Sequence, residues 1–207
     1  MMPSPASAIP VACEILAEPI NPNPFDLRDA AIALARAQYA EGEVDAALQT
    51  LAEIPSLSMG YQLTLYQKPQ DIAPYSLAIA QAYLDFQQPD RAWVLAEDAL
   101  TRVEHFHHKS SRIRKAYVVD FYARAGNFPR AWEIAESIPR PYSPSPYAPD
   151  NGSRFSSRAK SRHFIALAHL KFGDVQGAKL VIDTINSEWI YTEAQGDLAA
   201  YLAAQGA

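Results

Sequence analysis

The sequence is poor in cysteine and has no long apolar run, and each absence excludes a class of protein. Only Cys13 is a cysteine among the 207 residues, so the chain cannot close an internal disulfide, and a reducing compartment fits this usage. No apolar stretch approaches the roughly 20 residues that a membrane-spanning helix requires. The short apolar stretch near the N-terminus is not preceded by the basic residues of a secretory signal. We therefore expect a cytoplasmic protein that has no membrane segment.

The sequence also lacks the common signatures of catalysis, since it contains no Gly-rich phosphate loop, no nucleophile elbow and no Cys–His arrangement. Its best metal candidate is the stretch "HFHH", with His105, His107 and His108 close together. A zinc site needs three or four converging ligands, and no further Cys or His stands at a suitable spacing. Polar residues at a helix end are the preferred interpretation of this stretch, and a metal site is the alternative. The sequence therefore predicts no enzyme, no catalytic residue, no metal and no cofactor.

Positive charge is in slight deficit, because 18 Lys and Arg stand against 23 Asp and Glu. The formal net charge of -5 argues against nucleic acid as a partner bound by overall charge, although a local basic patch can still bind it. With 49% apolar and 20% charged residues, the composition is that of an ordinary globular protein. A chain of this length can bury a substantial core.

What the sequence does contain is an internal repeat in four copies. The copies are anchored at Gly42, Gln87, Gly126 and Gly173. Five residues after each anchor stands an alanine: Ala47, Ala92, Ala131 and Ala178. Twelve residues after each anchor stands an apolar residue: Ile54, Ala99, Ile138 and Ile185. The anchors are 45, 39 and 47 residues apart, which is in the range of repeats that each consist of a helix pair.

Each anchor is predicted to be the elbow of a helical hairpin. A glycine permits the left-handed backbone that often ends a helix, and the recurring alanine lets the second helix approach the first closely. The Ile-Pro pairs at 54–55 and 138–139 are expected to end second helices, because proline disfavours helical geometry in the residue before it. The first helices are predicted at 26–40, 73–86, 111–125 and 157–171. The second helices are predicted at 44–54, 89–104, 128–138 and 175–186, with a capping helix near 190–204.

This pattern resembles the tetratricopeptide repeat over about residues 26–186. In that family an aromatic residue of the first helix precedes the small residue of the second by nine positions, with a glycine between them. Tyr83, Tyr122 and His169 stand nine residues before the recurring alanine, and Tyr39 stands eight before it. The copies are spaced more widely than the 34 residues of the family. The resemblance implies an all-α, right-handed α-solenoid of about four helix-turn-helix repeats plus a C-terminal capping helix, whose first helices line a concave face that binds partner segments.

Two proline-rich segments stand apart from the repeats. Residues 1–25 are predicted to form a leader, which leaves 26–207 as the repeat domain. Residues 139–153 contain five prolines, which keep a chain extended. A solvated connection between two helices is the preferred interpretation of this second segment. The alternative is that it presents Tyr142 and Tyr147 to a partner.

The candidate binding surface is a group of basic residues near the starts of two helices. The stretches "SSRIRKAY" and "SSRAKSRHF" place cations in the first turn, where the helix dipole disfavours them. A local rule that is broken without visible compensation marks a candidate functional site. One basic rim is predicted from Arg112, Arg114, Lys115, Arg158, Lys160 and Arg162, together with His163. An apolar groove beside it is predicted from Leu77, Ile113 and Leu167. Ordinary solvated charge is the alternative.

These observations favour a non-enzymatic scaffold, adaptor or assembly factor that binds another protein. The expected ligand is an acidic or amphipathic segment, which would pair with the basic rim while its apolar residues enter the groove. Nucleic-acid binding through the same rim is the alternative from another class, followed by a peptide or small-molecule sensor. The acidic total charge disfavours nucleic acid.

Overall fold

The computed structural model describes residues 24–60, 72–104, 109–139 and 156–206. Within these ranges all regular secondary structure is α-helical, and no residue lies in a β-strand. The all-α prediction is therefore confirmed. Nine helices lie in the described ranges: α1 (Pro24–Ala40), α2 (Val44–Gly60), α3 (Ile72–Asp85), α4 (Pro89–Glu104), α5 (Lys109–Arg124), α6 (Phe128–Ser137), α7 (Ser157–Lys171), α8 (Val175–Ile182) and α9 (Glu188–Ala204).

The first eight helices form four hairpins, and α9 follows the last of them. The chain divides into two compact units, Met1–Ala99 and Leu100–Ala207. In the first unit α1 packs against α2, and α3 contacts both. In the second unit α7 is central, because it packs against α5, α6, α8 and α9. The right-handed course of a solenoid stays a prediction.

Each hairpin turns through an elbow of three residues: 41–43, 86–88, 125–127 and 172–174. The middle residue of every elbow has a positive φ, which is +87° at Gly42, +80° at Gly126, +76° at Gly173 and 57° at Gln87. The N–H of the next residue donates to the C=O five positions earlier, at 2.8–2.9 Å in all four copies. This backbone pattern ends a helix and satisfies its last carbonyls. The predicted elbows are thus confirmed.

The elbows correct one detail of the repeat alignment. The C=O that accepts this bond belongs to Tyr83, Tyr122 and His169 in three copies, but to Gln38 in the first. Gln38 is therefore the equivalent of the three aromatic residues, and Tyr39 is not. The ring of Tyr39 instead stacks on Phe86, with ring centroids 4.4 Å apart and planes within 4° of parallel.

The recurring alanines are buried in all four hairpins. Ala47, Ala92, Ala131 and Ala178 are all fully buried, with an exposure of 0%. The apolar residues seven positions further on, Ile54, Ala99, Ile138 and Ile185, are buried as well. A larger side chain at the alanine position would hold the helix axes apart. The burial that was predicted for these residues is confirmed, and their role in the close approach of the two helices stays a prediction.

The Ile-Pro pairs end only one of the two helices for which that was predicted. α6 ends at Ser137, and Ile138 is its C-cap with an extended backbone, as expected before a proline. α2, in contrast, continues through Pro55 to Gly60. Proline disfavours helical geometry in the residue before it and removes one backbone hydrogen bond, but it does not forbid the helix from continuing. The predicted end of this helix at residue 54 is therefore wrong.

Several predictions concern residues outside the described ranges. The leader lies there except for its last two residues, because α1 begins at Pro24. So do His105, His107 and His108, and most of the proline-rich segment 139–153 with its two tyrosines. The described helices include none that is long and apolar enough to cross a membrane. Among the same residues, no three His, Cys, Asp or Glu side chains converge as metal ligands.

Two glycines should respond in opposite directions to replacement by alanine. Gly126→Ala should lower the free energy of unfolding by about 1 kcal/mol, since its φ of +80° is unfavourable for any residue with a Cβ. Gly196→Ala should raise it by about 1 kcal/mol, because this glycine lies inside α9 and an added Cβ would meet no atom within 4 Å. Urea denaturation of both variants checks the pair. Equal shifts in the same direction would contradict the assigned backbone conformations.

Candidate functional site

Two helices of the second unit expose a matching stripe of side chains. Residues three or four apart share one face of a helix. On α5 this face carries Ile113, Tyr117, Asp120 and Arg124, and on the neighbouring α7 it carries Ser157, Lys160, Phe164, Leu167 and Lys171. Ile113 is 51% exposed, Tyr117 46% and Leu167 37%. Three large apolar side chains therefore remain in contact with water on one side of two packed helices.

The stripes enclose a groove between α5 and α7. Its cavity has a volume of about 210 Å³, which is room for one large side chain. Its lining consists of Ile113, Ala116, Tyr117, Ser156, Ser157, Lys160 and Phe164. We call this surface, together with Leu167, the α5–α7 groove. Its walls are mostly apolar, and its polar groups lie at the start of α7, as in pockets that bind and orient a ligand.

Charged side chains flank the apolar part of the groove. The Nζ atom of Lys160 lies 5.6 Å from the centroid of the Phe164 ring, where the face of the ring attracts a cation. Further along the same stripes, Asp120 forms an ion pair with Arg124. Burial raises the pKa of Asp120, and the attraction of Arg124 and Lys171 partly offsets this rise. Three cations and one carboxylate thus lie along these stripes, although the chain as a whole is acidic.

The predicted basic rim does not form one surface. Successive residues of a helix are rotated by about 100°, so Arg158 and Arg162 lie on the side of α7 opposite to Lys160. Both arginines bind the carboxylate of Glu136 on α6, and Arg162 does so at 2.8 Å. Their side chains are only 14% exposed. The grouping of Lys160 with these arginines was wrong, because it ignored the helical phase.

The two arginines form a tight cluster around Glu136. Arg162 also donates to the C=O of Thr184, beyond the end of α8, and its guanidinium lies 5.8 Å from the Trp132 ring centroid. Burial lowers the pKa of both arginines, and the neighbouring charge of Arg162 lowers that of Arg158 further. The Nε atoms of both are buried and have no hydrogen-bond partner among the described residues. The cluster therefore ties α6, α7 and the end of α8 together.

The remaining rim residues also face away from the groove. The Nζ atom of Lys115 binds Glu104 at 2.8 Å and the Oγ atom of Ser137 at 3.2 Å. Arg114 is buried at 6% exposure, and Arg112 is partly buried. These side chains extend from α5 at angles of about 100° or more from Ile113. These side chains lie at or beside the contacts between helices. Of the predicted rim residues, Lys160 is the one that lines the groove.

Two other predicted partner-binding residues are buried. His163 is 4% exposed, and its Nε2 atom lies 2.7 Å from the Oδ2 atom of Asp197. This contact joins α7 to α9. Leu77 lies on α3 in the first unit and is 8% exposed, so it offers little surface to a partner. Of the predicted apolar residues, Ile113 and Leu167 are the exposed ones.

Sequence reasoning missed Tyr117 and Phe164. Each lies four residues after a residue that was predicted, Ile113 in one helix and Lys160 in the other. The signal was therefore available as the i, i+4 spacing of a helix face. It was hidden because both residues are also typical of a buried core.

The corresponding faces in the first unit have a different character. On α1 the exposed face carries Asp26, Asp29 and Arg36, with the small Ala33 between them. Arg36 binds Asp85 of α3 at 2.7 Å. Small and mutually paired side chains offer a partner little apolar area. The groove in the second unit is therefore the better candidate site.

Comparison with known proteins adds a likeness in fold. Two crystal structures of nearly identical TPR-like repeats, from a Podosopora anserina protein assigned as a kinesin light chain, are both 18% identical to this chain, and one of them carries a point substitution. They cover 92% and 93% of it and 86% of their own chains, with TM-scores of 0.49 and 0.48. No family model and no curated protein matches the chain. The described helices follow one another as helix pairs, as the sequence pattern predicted.

Proposed function

We propose that this chain is a non-enzymatic scaffold or adaptor that binds another protein through the α5–α7 groove. The observation that carries the proposal is the exposure of Ile113, Tyr117 and Leu167 on one side of two packed helices. Their contact with water is unfavourable, and a partner that covers them removes that cost. A face of this kind on a helical-repeat domain suits an extended or helical segment of another protein.

The expected ligand is an acidic segment with apolar residues. One large apolar side chain of the ligand would fill the cavity beside Tyr117 and Phe164, and burial of apolar area would supply most of the affinity. A carboxylate of the ligand would pair with Lys160. Ion pairs at an exposed rim are worth little individually, so this charge would mainly orient the ligand and speed its association.

The packing of the basic residues disfavours nucleic acid as the ligand. Phosphate binding relies on cations that are free to reach a backbone. Arg158 and Arg162 are instead engaged with Glu136, and Lys115 with Glu104. A small-molecule sensor is also less suited, because the cavity of about 210 Å³ is smaller than the roughly 300–1,000 Å³ of typical ligand pockets.

A peptide-binding experiment tests the proposed function. Fluorescent 15-residue peptides that alternate Asp or Glu with Leu or Phe at helical spacing should bind the protein, and peptides with Lys in place of the acids should bind more weakly. Tyr117→Ala and Ile113→Asp should each weaken binding of the acidic peptides about ten-fold or more, as expected for residues at the centre of an interface. Fluorescence anisotropy measures the dissociation constants.

Leu180→Asp is the matched control for Ile113→Asp. Leu180 is 70% exposed on α8, so the same type of substitution is made at an exposed apolar residue away from the groove. Its binding should equal that of the parent, and circular dichroism should show that all variants are folded. Binding that survives both groove variants would refute the assignment of the groove as the site.

A further inference from the structure

The outward surface of α9 carries acidic and apolar side chains, which are the groups that the α5–α7 groove is proposed to bind. α9 packs on α7 and α8 and buries Ile190, Ala194 and Leu198. Its other side borders an open crevice of about 650 Å³, lined by Glu188, Trp189, Thr192, Glu193, Gly196 and Asp197. Trp189 is 52% exposed. A large aromatic side chain is thus displayed between carboxylates.

Two of the three carboxylates of this surface, those of Glu188 and Glu193, are available for pairing. Glu188 and Glu193 are exposed and form no ion pair with any residue in the described ranges, and Asp197 has His163 as its partner. Glu193 follows Trp189 by four residues and therefore lies one turn away on the same side. We call Glu188, Trp189 and Glu193 the α9 face.

Gly196 leaves the backbone of α9 open beside this crevice. Glycine inside a helix costs about 1 kcal/mol relative to alanine. No atom of the described chain lies within 4 Å of the position that a Cβ would take here. The protein's own packing therefore does not require glycine at this position, and the missing side chain leaves the helix backbone open to a partner.

We infer that a second copy of this chain places its α9 face in the α5–α7 groove. The inference rests on the proposed function, since it names α9 of another copy as a ligand of that groove. The groove offers Lys160, with Lys171 and the Asp120–Arg124 ion pair further along, and the α9 face offers two carboxylates around an indole. Opposite charges and one cavity sized for a large side chain make the surfaces complementary.

Both complementary surfaces belong to the same compact unit. The arrangement that the inference expects is a two-fold rotation that pairs the groove of each copy with the α9 face of the other, so that one interface contains the contact twice. Within a single copy this contact is blocked, because α9 is held on α7 through its opposite side. Association between two copies brings the surfaces together without rearranging either one.

A charge exchange tests this inference on the full-length protein. Sedimentation equilibrium should show a concentration-dependent dimer that higher salt weakens. Lys160→Glu with Lys171→Glu, or Glu188→Lys with Glu193→Lys, should each weaken dimerisation about ten-fold or more. An equimolar mixture of the two double variants should restore it, because each reversed surface then meets a reversed partner. Glu41→Lys with Asp183→Lys, at two exposed positions elsewhere, is the matched control.

Several results would overturn the inference. One is a parent protein that stays monomeric up to about 1 mM, because its dissociation constant would then be too high for a functional interface. Another is a dimer that neither charge reversal weakens. The third is a mixture of the two double variants that does not associate. The proposed function is tested separately on the α9 double variant, whose groove is intact. If that variant binds the acidic peptides but the parent never dimerises, only the present inference fails. If it binds no peptide, the proposed function fails as well.

Discussion

Replacing Glu136 by glutamine should lower the free energy of unfolding by about 1–3 kcal/mol, although the side chain keeps its shape. The carboxylate neutralises both Arg158 and Arg162, whose side chains are 14% exposed. Glutamine leaves two neighbouring guanidiniums without a negative charge, and they then repel each other in a poorly solvated site. The effect stays below that of a fully buried ion pair because Glu136 itself is 46% exposed. Urea denaturation measures the change.

Glu133→Gln is the matched control, on the same helix. Glu133 is 67% exposed and pairs with Arg130, one turn earlier, at 2.5 Å. Exposed pairs of this kind contribute about 0.5 kcal/mol or less. The two substitutions remove the same charge, so a difference between them reports the cluster. If both substitutions lower the free energy of unfolding equally, the cluster around Glu136 contributes no more to stability than an exposed ion pair.

Ala131→Leu should destabilise the protein by about 1–3 kcal/mol, because the added atoms have no space. Ala131 is completely buried on α6, five residues after the positive-φ glycine of its elbow. Leucine has a helix propensity close to that of alanine, so a change in helix propensity would not explain a loss of stability of this size. The same substitution at Ala199, which is exposed on α9, is the control and should be nearly neutral. A variant with the stability of the parent would contradict the close approach at this elbow.

The elbows could be predicted from sequence because their requirements are local. A positive φ favours glycine, and three of the four copies have it at Gly42, Gly126 and Gly173. The buried alanine always follows at the same distance, since the hairpin geometry is fixed by backbone hydrogen bonds. The second copy was recognisable only from this spacing, because Gln87 adopts the left-handed conformation without being glycine.

The candidate site was harder to predict because it depends on contacts between distant residues. Arg162 and Glu136 are 26 residues apart in sequence, with the proline-rich segment between them. Nothing in the spacing of the charges indicates that these two side chains meet. Lys160 could have been separated from Arg158 and Arg162 by helical phase alone. Which phase faces water, however, depends on how α7 packs against its neighbours.

The constant length of the elbows determines where this chain can tolerate insertions. All four elbows contain three residues, and their backbone hydrogen bonds span a fixed number of positions. In each elbow, the residue after the positive-φ residue donates its N–H to the C=O five positions earlier. One added residue would change this spacing and break the hydrogen bond. The stretches between successive hairpins, 61–71, 105–108 and 138–156, differ widely in length. We therefore expect a reporter tag to be tolerated better in these stretches than in an elbow. The unequal spacing of the four copies reflects the lengths of these stretches together with those of the helices.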